Sequence, residues 1–156
     1  MELTEIKKWL EEFLKMMGFD NFEIRIQENI EEKTMKFLIE TDRAEKTSGV
    51  LIGRQGENLR ALEIILNSAV RKKLNDASWR ILVDVNNYLT LREEKLREIA
   101  RKLAHQVVLA KKQVELPPMS PRDRRIIHLE LSLSTAVTTE SIGEGEKRRI
   151  IIKPIE

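Results

Sequence analysis

The chain has no cysteine, two histidines, one tyrosine and four prolines in 156 residues. Without cysteine there is no disulfide scaffold, no thiolate zinc site and no cysteine nucleophile, a pattern that fits a reducing compartment. His105 and His128 lie far apart along the chain and do not suggest a histidine-rich metal site. No apolar run approaches the ~20 residues of a membrane helix, and the amphipathic start, Met1–Met17, lacks the apolar centre of a signal peptide. Direct membrane insertion is therefore not expected, and the expected location is cytoplasmic. No nucleophile elbow, no metal-ligand spacing and no carboxylate pair at a catalytic spacing stands out. Neither an enzyme nor a bound metal or cofactor is expected.

Hydrophobic residues make up 41% of the chain and charged residues 35%, enough apolar content for a core and too much for a disordered chain. The length admits one domain or two small ones. The net charge is +2, but it is unevenly spread. Residues 1–48 hold eight Lys+Arg against twelve Asp+Glu, a net of −4, and residues 49–156 hold twenty against fourteen, a net of +6. A positive block on a nearly neutral protein is either a footprint for a polyanion or a solvated surface with chance asymmetry.

Hydrophobic spacing divides the chain into elements. Thr4 is a candidate N-cap, followed at helical spacing by Ile6, Trp9, Leu10, Phe13 and Leu14 up to Gly18. Phe22, Ile24 and Ile26, then Met35, Phe37 and Ile39, alternate with mostly polar residues around a turn near Asn29–Lys33, which predicts a hairpin. A short helix over 44–52 runs into Gly53-Arg54-Gln55-Gly56. A long helix follows, with Leu59, Leu62, Leu66, Ala69 and Val70 on one face and Asn75-Asp76 at its end. Ile81, Val83 and Val85 mark a third strand. Trp9 and Trp79 read as core or groove walls. Thr90-Leu91-Arg92-Glu93 has the capping-box pattern and opens a helix through Leu96, Ile99, Ala100, Leu103 and Val107 to about Lys112. Val114–Leu116 reads as a short strand, and Pro117-Pro118 breaks the chain. Ser120-Pro121 restarts a helix to about Leu133, with Ile126, Leu129 and Leu133 on its core side. Val137–Ile142 and Arg148–Ile152 are strands joined by Gly143-Glu144-Gly145.

Two short motifs can carry chemistry. In Ile52-Gly53-Arg54-Gln55-Gly56 the glycines permit a tight turn and close backbone approach, and the next helix presents free N–H groups and a positive dipole end. Arg54 adds a cation and Gln55 adds donors. The alternative is a helix–turn–helix corner closed by its glycines. In Arg124-Arg125-Ile126-Ile127-His128, the four-residue spacing places Arg124 and His128 on one helix face, where fork and imidazole suit a phosphate. The alternative is a surface arginine beside a half-buried histidine bonded to backbone. His105 reads as a helix-face residue.

The first motif, with its flanks Val50-Leu51-Ile52 and Glu57-Asn58-Leu59, lies within helix-strand-strand-helix-helix-strand and resembles the type II KH domain. The resemblance implies that Gly53, Arg54, Gln55 and Gly56 contact a nucleic-acid backbone, with bases over an apolar groove between the helices and the edge strand. Aromatic content of 4% argues against a stacking surface of the RRM or OB type, but not against KH. The second motif lies between Leu116-Pro117-Pro118-Met119-Ser120 and Thr139-Glu140-Ser141-Ile142-Gly143-Glu144-Gly145, and resembles the R-3-H domain, named for Arg-x3-His, which binds single-stranded nucleic acids. Arg60, Ser141 and Arg149 are further candidates. Of Lys147, Arg148 and Arg149, the family pattern favours Arg149.

The tandem resembles the bacterial Jag family over about Ile6 to Pro154. The implied fold is α+β: a type II KH domain over 1–88 (αββααβ, a three-stranded sheet with helices on one face), then a small α/β R-3-H domain over 89–156 with a three-stranded sheet, 89–112 being a long connecting helix. The implied partners are single-stranded RNA or single-stranded DNA, and a small single-KH protein or a second copy through the KH domain. The implied setting is post-transcriptional control of elongation, division or envelope biology. Family members often add an N-terminal domain and charged linker. Here the KH region starts almost at Met1, so roles tied to that part, such as recruitment to membrane or cell-wall machinery, are not carried over. On this reading Gly53→Asp is expected to weaken RNA binding without unfolding the protein.

Overall fold

The computed structural model describes residues 3–42, 47–74, 76 and 78–155. They divide into two compact units, Met1–Leu89 and Thr90–Glu156. In the first unit the order is α1 (Leu3–Met16), β1 (Phe22–Asn29), β2 (Thr34–Thr41), α2 (Thr47–Ile52), a short helical turn (Arg54–Gly56), α3 (Glu57–Leu74) and β3 (Arg80–Val85). β1 and β2 pair antiparallel, with Ile24 opposite Ile39 and Ile26 opposite Phe37, and β3 pairs parallel to β2. A parallel neighbour requires a crossover, which α2 and α3 supply. The apolar sides of all three strands face Ile6, Leu10 and Leu14 of α1 and Leu59, Leu62, Leu66 and Val70 of α3, forming one core. The opposite sides carry the exposed Glu23, Arg25 and Glu40, where Arg25 pairs with Glu40 at 3.2 Å.

β3 is an edge strand, and α3 covers its open side with polar side chains. The Ile81 N–H donates to Asn67 Oδ1 and Asn67 Nδ2 donates back to the Ile81 carbonyl, both at 3.1 Å. The Val83 N–H donates to Glu63 Oε2 at 3.2 Å, and Arg71 Nε donates to the Trp79 carbonyl at 3.1 Å. Glu63, Asn67 and Arg71 thus act as a substitute strand.

The second unit contains most of α4 (Tyr88–Ala110), then β4 (Val114–Glu115), α5 (Pro121–Leu131), β5 (Val137–Ile142), a helical turn (Gly145–Lys147) and β6 (Arg149–Pro154). Its sheet order is β4-β6-β5, all antiparallel. Leu96, Ala100 and Val107 of α4 pack with Ile127, Leu131, Val137, Ile150 and Ile152 in a second core. Ser120 caps α5, its hydroxyl accepting from the Asp123 N–H, with Pro121 in the first turn. No helix among the described residues is long and apolar enough to cross a membrane.

Several expectations are corrected. α4 starts at Tyr88, so Thr90 lies inside the helix. The capping group is the buried Asp84, whose Oδ1 accepts from the Leu89 N–H at 3.0 Å after a turn through Asn86 and Asn87, both at positive φ. α5 ends at Leu131 and its core side carries Ile127 and Leu131. Leu129 and Leu133 are exposed, because Asp123, Ile127 and Leu131 are the positions on the buried stripe. Of the two readings of Trp9, core or groove wall, the structure takes the second: it stacks on Phe13 with ring centroids 5.5 Å apart and lines a small cavity with Ile6, Ala69 and Val70. Residues 44–46 of the short-helix expectation, and Asn75, lie outside the described residues.

Asn67→Ala is expected to lower the stability of the first unit by about 1–3 kcal/mol, since it leaves edge-strand groups of Ile81 unpaired. Both tryptophans lie in this unit, so a urea titration followed by tryptophan fluorescence isolates its transition. An unchanged midpoint would show that the edge capping is not needed for stability.

Candidate nucleic-acid interface

The loop of the first unit is held by backbone geometry that few side chains tolerate. Gly53 has φ 71° and Gly56 φ 83°. A Cβ on Gly53 would lie 2.6 Å from Asn58 Cγ and 2.9 Å from the Asn58 backbone nitrogen, so the position requires glycine twice over. Asn58 also closes the preceding helix, its Nδ2 donating to the Val50 carbonyl at 2.7 Å. Between the glycines Gln55 is itself left-handed, with φ 53°. Arg54 and Gln55 are exposed, and Arg60 is exposed one turn into α3. Gly53–Gly56 thus stands at the N-terminus of α3, whose dipole favours an anion, although the expected free N–H groups are partly used: those of Gly53, Gly56 and Glu57 donate to the carbonyls of Gly49, Gly53 and Arg54. A Cβ on Gly56 would meet Tyr88 Cε1 at 3.2 Å, so the aromatic ring backs the loop.

This geometry corrects two expectations. Aspartate at 53 would collide with Asn58, so Gly53→Asp distorts the loop rather than only adding charge. The expected apolar groove beside the edge strand is mixed in character: a cavity of about 400 Å³ between α3 and β3 is lined by Ile64 and Ile81 and the stems of longer side chains, together with the polar groups of Asn67, Ser68, Arg71 and Arg80. The reason is the capping of β3, which requires polar groups at that place.

In the second unit α5 lies over β5 and brings Arg124 and His128 to the sheet. His128 Nδ1 bonds the Thr139 hydroxyl at 2.6 Å, and Arg124 Nη1 donates to the Met119 carbonyl at 2.7 Å. Burial first, and the Arg124 charge second, push the His128 pKa below the ordinary imidazole value. Burial and then the Arg148 charge act in the same direction on Arg124. The guanidinium remains charged at any ordinary pH, so the shift measures crowding of positive charge. Ser141 accepts from Arg148 Nε at 3.2 Å. Arg149 instead pairs with Glu115, Nε to Oε2, at 2.8 Å. The structure therefore gathers Arg124, His128 and Ser141, and turns Arg149 toward an acid. Arg148 and Thr139 join the cluster although the sequence reading did not favour them. The signal available was strand parity, since Arg148 shares that of the buried Ile150 and Ile152.

Basic residues on α4 are partly neutralised. Arg101 pairs with Glu130 at 2.6 Å and Lys102 with Glu98 at 2.5 Å. His105 is exposed on α4.

Known proteins resemble the chain in both units. Residues 7–83 match the family described as KhpA/KhpB, KH domain, and residues 94–154 match the R-3-H domain family. The chain is 35% identical over 130 residues to a protein named RNA-binding protein KhpB from Clostridium symbiosum, covering 83% of this chain and 56% of that protein. Identity to the protein of the same name from Bacillus subtilis is 36% over 132 residues, covering 83% and 60%. For the one from Streptococcus pneumoniae it is 25% over 149 residues, covering 96% and 43%. The chain thus spans about half the length of these relatives. With a KhpA/KhpB-type KH domain followed by an R-3-H domain, the chain belongs to the Jag family.

Proposed function

We propose that this chain binds single-stranded RNA at two phosphate-gripping sites, the Gly53–Gly56 loop and the Arg124/His128 cluster. The observation that carries the reading is the cluster's electrostatics. Burial is the larger cause of the shifts at Arg124 and His128, and the charges that add to it are positive; among the described residues the ion pairs include no carboxylate on either side chain, and an anion is the partner that would complement them. In the tautomer whose Nδ1 accepts from the Thr139 hydroxyl, the ring proton of His128 is on Nε2, and the neutral imidazole offers that donor to a phosphate oxygen. At the loop, the positive end of the α3 dipole and the exposed Arg54 attract the phosphate, while Arg60 extends the positive surface. Names of the relatives support RNA as the ligand, and single-stranded DNA shares the same phosphate chemistry. The cellular setting implied by the family, post-transcriptional control of elongation and division, belongs to this reading. RNAs crosslinked to the protein in its own cells should then include transcripts for envelope functions.

A second reading, association through the KH domain, is favoured by one observation. Trp9 and Phe13 stack at the surface of α1, where Met16 and Met17 are also exposed. The occupant would be a second copy or a small single-KH protein. Light scattering after size exclusion, with and without RNA, tests it: a mass of one chain at every concentration removes the second-copy version.

For the loop, Arg54→Glu is expected to weaken binding of a labelled single-stranded RNA about tenfold, the scale of one charge-assisted hydrogen bond, with the fold unchanged because Arg54 is exposed. Unaltered affinity in an anisotropy titration would remove the loop from the interface.

For the cluster, pH gives a signed test. The folded pKa of His128 is depressed, so its contribution to stability is full above the unfolded value of about 6.5 and declines as pH falls through that value toward the folded pKa. A bound phosphate favours the protonated ring, so affinity should rise as pH falls over the same window. His128→Gln should flatten both trends. An identical pH dependence in wild type and variant would contradict this role.

A further inference from the structure

Two packing contacts hold the loop of the first unit, one at each glycine. Asn58 occupies the space over Gly53, and Tyr88 the space over Gly56. Hydrogen bonding across the loop is weak, since the Gly56 N–H reaches the Gly53 carbonyl only at 3.3 Å. Gln55 nevertheless sits at φ 53° and ψ 24°, a conformation that residues with a Cβ adopt reluctantly. Such a conformation persists where the surrounding structure imposes it. Asn58 belongs to α3, the helix that the loop opens. Tyr88 comes from beyond β3 and is the one tyrosine of the chain.

The residues on either side of Tyr88 are pinned to the sheet. The Asn86 N–H donates to the Ile39 carbonyl at 3.0 Å. The Asn86 side chain closes on Thr41, with Oδ1 accepting from the Thr41 N–H and Nδ2 donating to the Thr41 hydroxyl, both at 3.0 Å. Asn86 and Asn87 turn the chain at φ 51° and 59°. The buried Asp84 then accepts from the Leu89 N–H at 3.0 Å. Tyr88 lies between these anchors, half-buried against the first core. One ring edge is turned to the loop: a Cβ on Gly56 would lie 3.2 Å from Cε1 and 3.6 Å from the hydroxyl oxygen. A stiff turn at the end of the sheet thus sets an aromatic wall against the second glycine.

We propose that Tyr88 is a positioning residue of the nucleic-acid loop: its ring, held by the Asn86–Asn87 turn, keeps Gln55 and Gly56 left-handed and so fixes where Arg54 stands. The inference rests on the reading of Gly53–Gly56 as a phosphate-binding loop. A loop already in its binding conformation gives up less freedom when it takes a ligand. Phenylalanine at 88 keeps Cε1, the atom nearest the loop. Leucine keeps apolar burial but lacks the flat edge that reaches Gly56.

The test uses the full chain and a fluorescein-labelled single-stranded RNA in an anisotropy titration, with a urea titration showing that each variant is folded. Tyr88→Leu is expected to raise Kd about fivefold, the scale of ordering one side chain, and Tyr88→Phe should stay within about twofold of wild type. Arg54→Glu is the reference, and its cost should shrink from about tenfold to about threefold or less in the Tyr88→Leu background, because Arg54 is no longer held in place. In the free protein, backbone amide relaxation should show Gln55 and Gly56 more mobile in Tyr88→Leu than in wild type. Wild-type affinity in Tyr88→Leu overturns the proposal. So does a Tyr88→Phe variant as weak as Tyr88→Leu, which would assign the effect to the hydroxyl. A base stacked on the ring would also survive phenylalanine, but it would leave the free loop unchanged, and unchanged loop mobility overturns the proposal. An equal cost of Arg54→Glu in both backgrounds overturns it too. If Arg54→Glu has no effect in wild type, the reading of the loop itself fails, and the proposal with it. One readout needs no variant: wild-type protein should show a nuclear Overhauser effect between the Tyr88 ring and the Gly56 Hα protons, and its absence overturns the proposal even if Tyr88→Leu does not fold.

Discussion

The first unit depends on the match between one helix and one strand edge. Glu63, Asn67 and Arg71 recur every four residues on α3, and they meet Val83, Ile81 and Trp79 every two residues back along β3 and its approach. Four helical residues advance ~6 Å and two strand residues ~6.6 Å, so the two periods stay in step over three rungs. This ladder satisfies edge groups that would otherwise invite another strand, and it fixes the register of α3 on the sheet. With the register fixed, the N-terminus of α3 has one place to be, and the glycine loop is carried there with it. Leu59, Leu62, Leu66 and Val70 supply burial on the same helix, but burial alone is non-directional and would tolerate a slide.

The second unit solves a similar problem with strand parity and a bridge. The cluster draws on α5, β5, and the residue before β6, pieces brought together by antiparallel pairing and by the hydrogen bonds of Met119. Like charges gathered this way oppose folding. Surrounding bonds to Met119, Ser141 and Thr139 hold the side chains in place against that repulsion. The phosphate proposed for this cluster would relieve it, linking its binding to local stability through the same residues.

The two sites were legible to different degrees. The glycine loop is written contiguously, and its conformation follows from residue types: two glycines at positive φ with a following helix. The partner that makes Gly53 irreplaceable, Asn58, is only five residues on, yet its side chain reads as an ordinary helix position, and only in the folded loop does it fill the space over the glycine. At the second site the Arg-x3-His spacing located α5 and both its polar residues. Choosing between Arg148 and Arg149 required knowing where β6 begins and which face of it α5 covers, and a one-residue difference inverts the outcome. The start of α4 was misplaced for a related reason. A capping-box pattern at Thr90 was outcompeted by Asp84, a buried carboxylate positioned by the sheet.

What the sequence by itself determined was the order of elements, the apolar faces and the two motifs, because helix and strand periods and glycine tolerance are local properties of the chain. What only the tertiary structure decided was which side chains share a face with those motifs: Asn58 and Tyr88 against the glycines, Arg148 and Thr139 with Arg124 and His128, Glu115 with Arg149. These partnerships depend on strand register and helix placement, which are set by cooperative hydrogen bonding and packing between segments distant in the chain.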